Sequence, residues 1–182
     1  VLATTLEMVA EEGLAKVTMA SLAARLGTSG GHLLYYFGTR NGLLLETLRW
    51  SENEYAAQRA PILEKAEQDG SGGVDALLSF TDVYLALDER DPRWLLWLEL
   101  WARAPYDAEL AAAQRAMDDE WHADLVRLFA AALPQVPGRE ALSERLRAMW
   151  DGFSIGIVTG GGTALREHAL EHTRAAVTGH EG

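Results

Sequence analysis

The stretch Thr18 to Arg40, TMASLAARLGTSGGHLLYYFGTR, reads as two short helices joined by a tight turn. Thr18 is suited to cap the first helix, its hydroxyl accepting from an otherwise unpaired backbone N–H. Leu22, Ala23 and Leu26 fall on one face of that helix. Gly27 ends it, because glycine enters the left-handed conformation without steric cost. Ser29 caps a second helix that runs through His32, Leu33 and Tyr36 and closes on Phe37. Gly38 and Thr39 open the next helix, with Arg40 in its first turn. This is the layout of a helix-turn-helix, whose second helix enters the DNA major groove.

Charge follows the same division. Between Glu12 and Glu46 there is no acidic residue, but there are Lys16, Arg25 and Arg40, in a chain of net charge -11. Neutralising phosphates drives most DNA affinity, so an acid-free window is where a phosphate backbone would approach. Three cations make a thin footprint, and an ordinary surface hairpin without acids is the competing reading. Residues 1–50 hold four acids (Glu7, Glu11, Glu12, Glu46) and four bases (Lys16, Arg25, Arg40, Arg49), so all the excess negative charge lies in residues 51–182. An acidic body of that kind is held away from DNA.

Gly13, Thr18, Leu22, Ala23 and the run GTSGGHLLYYFGTRNGLL from Gly27 resemble the N-terminal domain of the TetR family of transcriptional repressors. Gly27, Ser29, Gly31, Leu33, Tyr36, Phe37, Thr39, Arg40, Leu43 and Leu44 fit the family pattern. Leu34 stands where a tyrosine is usual, which removes one tyrosine–phosphate contact. Arg40 stands where a lysine is usual, keeping the charge but preferring a forked contact. The resemblance covers roughly the first quarter of the chain. It implies a DNA-reading head, a fourth helix linking head to body, an effector cavity in the body, and a homodimer through the last two helices.

Composition agrees with an all-α chain. It has 182 residues, 48% of them hydrophobic, with many Ala, Leu, Glu and Arg and no convincing alternating strand. Cysteine is absent, which excludes disulfides and thiolate metal sites. No apolar run reaches the length of a membrane span, and no signal peptide is evident. The chain opens on Val1, so it is expected to begin inside a longer sequence, where TetR-like proteins carry a basic arm. The cytoplasm is the expected location.

Along the chain, Leu2, Leu6 and Val9 form a first helical stripe ended by Gly13, and Leu43, Leu44 and Leu48 belong to the fourth helix. A separate helix is expected from Asn53 to Gln68, kinked or broken at Pro61. A loop follows from Asp69 to Gly73, then a helix from Val74 to Leu87 with Leu77, Phe80, Val83 or Tyr84, and Leu87 inward. Pro92 starts a helix carrying Trp94, Trp97 and Trp101 on one face, with Glu99 and Arg103 opposite in the favourable acid-first order. That stripe is either plain aromatic core or the wall of an effector cavity. A tryptophan cage for a cation is a further reading, although Glu99 points away from it.

Pro105 closes this helix. The next, Asp107 to Leu133, carries Leu110, Met117, Trp121, Leu125 and Leu128 or Phe129 at core spacing, with His122 beside Trp121 either a polar group of the cavity or, as the simpler reading, a solvent-exposed histidine. After Pro134 and Pro137, the helix from Glu140 to about Gly160 holds Met149, Trp150, Phe153 and Ile157. Gly152, Gly156 and Gly160 stand four apart on it, which calls for close approach of a second helix, from a partner subunit or from within one subunit. Gly160 to Thr163 reads as a helix break rather than a phosphate loop. A last helix runs from Thr163 to Val177, and the tail Gly179–Gly182 is expected to fray.

The reading is an N-terminal three-helix DNA-binding domain, residues 1–50, and a helical effector-binding and dimerisation domain, residues 51–182. Gly30, Gly31, His32 and Tyr35 are placed to reach base edges, and Thr18, Ser29, Tyr36 and Arg40 to reach phosphates. Tyr84, Trp94, Trp97, Trp101, Trp121 and Phe153 are the candidate effector contacts, for a small apolar or aromatic molecule. The expected partners are an inverted-repeat DNA operator, that effector and a second copy of the chain, with no cofactor and no membrane. Two alternatives stand beside this. One is a helical dimer that binds a small molecule or protein but not DNA. The other is a metal-dependent hydrolase using His168 and His172, which stand at i and i+4 in an H-x-x-E-H order.

Overall fold

The computed structural model describes residues 1–70 and 72–178, so Ser71 of the expected loop and the tail 179–182 lie outside the described residues. Among the described residues there are nine α-helices and no strand. Helix α1, Leu2–Glu12, buries Thr5, Met8 and Val9 and ends at Gly13. A one-turn 3-10 helix over Leu14–Lys16 leads to α2, Met19–Leu26. Its start is a reciprocal cap. The Ser21 amide donates to Thr18 Oγ1 at 3.0 Å, and the Thr18 amide donates to Ser21 Oγ at 2.9 Å. Gly27 then takes the left-handed conformation, φ +65.

Helix α3, Gly30–Phe37, is capped by Ser29, whose hydroxyl accepts from the His32 amide at 3.1 Å. Helix α4 begins at Arg40, where Thr39 Oγ1 accepts from the Gly42 amide at 3.0 Å. It continues without interruption to Asp69, so the break expected between the fourth helix and a separate Asn53–Gln68 helix does not occur. Pro61 lies inside it. Proline removes the hydrogen bond to the carbonyl four residues earlier. Here that residue, Ala57, is exposed, so its carbonyl is on the solvent side of the helix and the loss is mild.

Helices α5, Gly73–Tyr84, and α6, Pro92–Arg103, follow. Because α5 stops at Tyr84, the helical spacing does not extend to Leu87. Tyr84 is buried and Leu87 is 56% exposed, where an inward position was expected. Asp91 caps α6, its carboxylate accepting from the amides of Arg93 and Trp94. A turn over Ala104–Tyr106 leads to α7, Ala108–Ala132, then come α8, Arg139–Gly156, and α9, Ala164–Thr178. A single π-helical turn over Ile157–Gly161 joins α8 to α9, with Gly160 at φ +100.

Two compact units form. The first joins Val1–Asn53 to Arg90–Gln114, and the second joins Glu54–Glu89 to the chain from Arg115 on. Helix α6 therefore packs with the N-terminal helices, α1 among them, a grouping that a boundary at residue 50 does not capture. The reason is partly apolar, since Trp94, Leu96, Trp97 and Leu100 are buried. It is also polar. The Trp97 indole N–H donates to Glu52 at 2.7 Å, and Glu52 is itself buried. The second unit has its own core, including Phe80, Leu125, Phe129, Trp150 and Ile157.

Candidate nucleic-acid interface and effector site

In the first unit α3 turns Leu33 inward, while His32, Leu34, Tyr35 and Tyr36 are exposed. The Tyr36 ring stands edge-on to both His32, at 5.0 Å, and Tyr35, at 5.2 Å. Thr18 and Ser29 are exposed at the starts of α2 and α3, where their hydroxyls cap the helices. Gly30 and Gly31 form the first turn of α3.

Arg40 is placed differently from the sequence expectation of a phosphate contact. Its Nε donates to the Val17 carbonyl at 2.6 Å and its Nη2 to the Leu14 carbonyl at 2.7 Å. Its Nη1 lies 3.7 Å from Glu99. Glu99 also pairs with Arg103, which donates in turn to Asn41. A chain of four polar side chains thus joins the start of α4 to α6, beside a cleft lined by Leu44, Leu48, Leu96 and Leu100. Two of the other cations near the head are engaged too. Arg25 pairs with Glu11 and Glu12, and Arg49 pairs with Glu46. Lys16 is exposed and has no carboxylate partner among the described residues.

The candidate effector residues fall into separate groups. Trp94, Trp97 and Trp101 form a ring cluster in the first unit, with Trp101 5.9 Å from Trp94 and 5.6 Å from Trp97. Tyr84 and Trp121 meet in the second unit at 4.8 Å. There they are joined by two rings that the sequence reading left as ordinary core, Phe80 and Trp150. Phe153 is not part of that group. Its ring stacks on His172 at 5.8 Å.

The second unit also has buried polar groups that no local motif announces. The Arg59 guanidinium lies 4.0 Å from the Trp121 ring centre, and its Nε donates to Asp124 at 2.6 Å. Its Nη1 is sealed from solvent and finds no acceptor among the described residues. Tyr84 donates to Asp151 at 2.6 Å. Burial first, and the Asp151 charge second, push the Tyr84 phenol well above its ordinary range. Arg147 pairs with Asp118 at 2.8 Å, and the Trp150 indole N–H donates to Thr173 at 2.7 Å. A helical spacing argument finds the rings but not these pairings, because the partners lie on different helices.

Gly152 and Gly156 of α8 and Gly160 of the turn that follows it have different surroundings. A Cβ on Gly152 would meet nothing within 4 Å. One on Gly156 would lie 2.9 Å from Leu165, on α9 of the same chain. Gly160 has a positive φ that other residues avoid. Their even spacing is therefore not one continuous seam. His168 and His172 are exposed on α9. Among the described residues no group of three or more candidate ligands is gathered for a metal ion, and no helix is long and apolar enough to cross a membrane.

An exposed, capped second helix, backed by buried first-helix residues and a tight glycine turn, defines a helix-turn-helix regulator in which a helical body follows the head. Residues 1–47 match the family model described as bacterial regulatory proteins of the tetR family, and residues 74–180 match that of the BetI-type transcriptional repressor C-terminal region. The HTH-type transcriptional regulator BetI of Burkholderia ambifaria is 32% identical over 160 residues, spanning 86% of this chain and 80% of the relative. The BetI of Stenotrophomonas maltophilia is 31% identical, over 86% of this chain and 79% of its own. Among solved structures, a TetR regulator from Haloarcula marismortui superposes with a TM-score of 0.80 at 20% identity, covering 98% of this chain and 94% of that one. A transcriptional regulator from Saccharomonospora viridis, solved in complex with choline, gives 0.79 at 21% identity over 97% and 93%. The chain belongs to the TetR family of transcriptional regulators.

Proposed function

We propose that this regulator is a cytoplasmic homodimeric repressor that binds an inverted-repeat operator and leaves it when a small apolar or aromatic effector occupies its body. The observation that carries the reading is the exposed face of α3, held out by the Thr18 and Ser29 caps and the buried Leu22 and Leu33. Residues 1–50 read DNA, and residues 51–182 bind effector and pair the subunits. Gly30, Gly31, His32 and Tyr35 approach base edges, while Thr18, Ser29 and Tyr36 approach phosphates. Lys16 takes the charge role first given to Arg40, because Arg40 is spent on backbone carbonyls. Two heads then sit in successive major grooves, roughly 34–36 Å apart or at a wider multiple.

Tyr84 and Trp121, with Phe80 and Trp150, are the aromatic group from which we build the effector site of the second unit. Arg59 supports it, since a buried donor without an acceptor is costly and an effector oxygen would satisfy it. The neighbour solved with choline supports a small-molecule role for such a body. The effector acts only by binding the DNA-incompetent state more tightly. Pairing of subunits involves the outer face of α8 at Gly152, an exposed helical glycine where a Cβ would meet nothing inside the chain.

The test is selection of bound fragments from the source organism's genomic DNA at a stated salt concentration, followed by release assays with small molecules. Recovery of one short inverted repeat is the expected result. A folded, dimeric protein that enriches no sequence would replace this reading with the DNA-independent binding module.

A further inference from the structure

The recognition helix has an unusual chemistry for reading bases. With Leu33, 1% exposed, as the inward direction, about 100° per residue puts Gly31 and Tyr35 at the outward pole of α3. His32 and Leu34 flank that pole. Tyr35 is 83% exposed and Leu34 47% exposed. The residues Gly30–Phe37 include no Arg, Lys, Asn or Gln. Those four side chains make the bidentate contacts that identify guanine and adenine in the major groove, so this helix has none to offer. Neighbouring guanidiniums do not substitute, because Arg25 is paired with Glu11 and Glu12 and Arg40 is bonded to carbonyls.

Beyond the His32 imidazole and the two phenol hydroxyls, what α3 presents is aromatic and aliphatic surface. The apolar feature a major groove offers such surface is the C5-methyl of thymine. The Tyr35 ring is braced rather than free, edge-on to Tyr36 at 5.2 Å, and Tyr36 is braced on His32 at 5.0 Å. At the same pole, a Cβ on Gly31 would meet only Ser29 Oγ, at 3.9 Å, so the fold itself does not require glycine there. Glycine in a helix is less favourable than alanine, and nothing inside the chain offsets that. An open backbone at the pole lets α3 sit deeper in the groove and brings the ring to the base edges.

We infer that this regulator reads its operator chiefly through thymine methyl groups, with Tyr35 as the residue that meets them and Leu34 beside it. The inference rests on the DNA-binding reading and goes beyond it by naming what is recognised.

The experiment starts from the operator recovered by genomic selection. Each thymine of a half-site is replaced in turn by deoxyuridine, which removes only the methyl, and each guanine by 7-deazaguanine, which removes the N7 acceptor. Affinity is measured at one fixed salt concentration for the wild-type chain and for Tyr35→Ala, with folding of the variant confirmed by circular dichroism. The expected result is that uracil at one or more positions weakens the wild type about fourfold per methyl, and that Tyr35→Ala binds thymine and uracil operators alike. Deazaguanine is expected to have little effect. Indifference to uracil at every position overturns the inference, as does a Tyr35→Ala variant that still prefers thymine, or a dominant loss at deazaguanine. In each of those cases the DNA-binding reading stands. If a folded, dimeric protein selects no operator at all, both readings fall together.

Discussion

At the scale of single residues, the caps were legible because their chemistry is local. Thr18 and Ser29 each reach an amide three residues on, and Gly27 needs only its own backbone angles. Arg40 was not legible, because its partners Val17, Leu14 and Glu99 are distant in sequence. Its replacement by alanine is expected to cost about 1.5–3 kcal/mol of stability, for the loss of charged hydrogen bonds to partly buried carbonyls. The salt slope of DNA binding should stay nearly unchanged. Lys16→Ala should do the reverse, lowering the slope by about one per head with little change in stability. Denaturant unfolding and a salt titration of binding separate the two. Gly42 is a further position that the sequence did not single out. A Cβ there would stand 2.3 Å from the Phe37 carbonyl oxygen, so Gly42→Ala should force α3 and α4 apart and destabilise the chain by roughly 1–3 kcal/mol.

Tyr84 supplies a pH prediction at the same scale. Its folded pKa is raised, first by burial and then by Asp151, so the native state holds the phenol proton more tightly than the unfolded chain does. Its contribution to stability is therefore complete below about pH 10, the unfolded value, and is lost as pH rises from there toward the folded value. Tyr84→Phe should flatten that part of the alkaline unfolding profile. An unchanged slope above about pH 10 would assign the decline to other groups.

At the scale of elements, start and stop signals placed most of the helices within a few residues, and the tryptophan face of α6 followed from spacing alone. Continuity was harder to read. Pro61 marked a break in sequence terms, yet α4 runs through it because the carbonyl it orphans faces solvent. Pro61→Ala should accordingly raise the melting temperature, by restoring an N–H where the helix is already in place. The evenly spaced Gly152, Gly156 and Gly160 show how a regular pattern can serve unrelated ends. Gly156→Ala should clash with Leu165 and destabilise the fold. Gly152→Ala should stabilise the helix by about 1 kcal/mol and, if α8 pairs with its twin there, weaken the dimer. Sedimentation equilibrium beside thermal unfolding reads the two effects apart.

At the scale of the whole molecule, the family was legible from the turn and its flanking helices. The body was legible only as helices with apolar faces. Which rings meet is a tertiary matter, and so Trp150 replaced Phe153 in the Tyr84–Trp121 group. The division of the chain was hidden for the same reason. Charge and motif both point to residue 50, whereas burial and the Glu52–Trp97 bond draw α6 in with the first three helices.

That bond bears on modular exchange. Grafting this head onto another regulator by a joint at residue 50 would leave Trp97 behind and strip α1 of the helix it packs against. The transplanted piece would carry an uncovered apolar face in place of a finished surface. A chimera that keeps its specificity therefore has to be spliced twice, carrying residues 1–53 together with 90–114 as one discontinuous cassette.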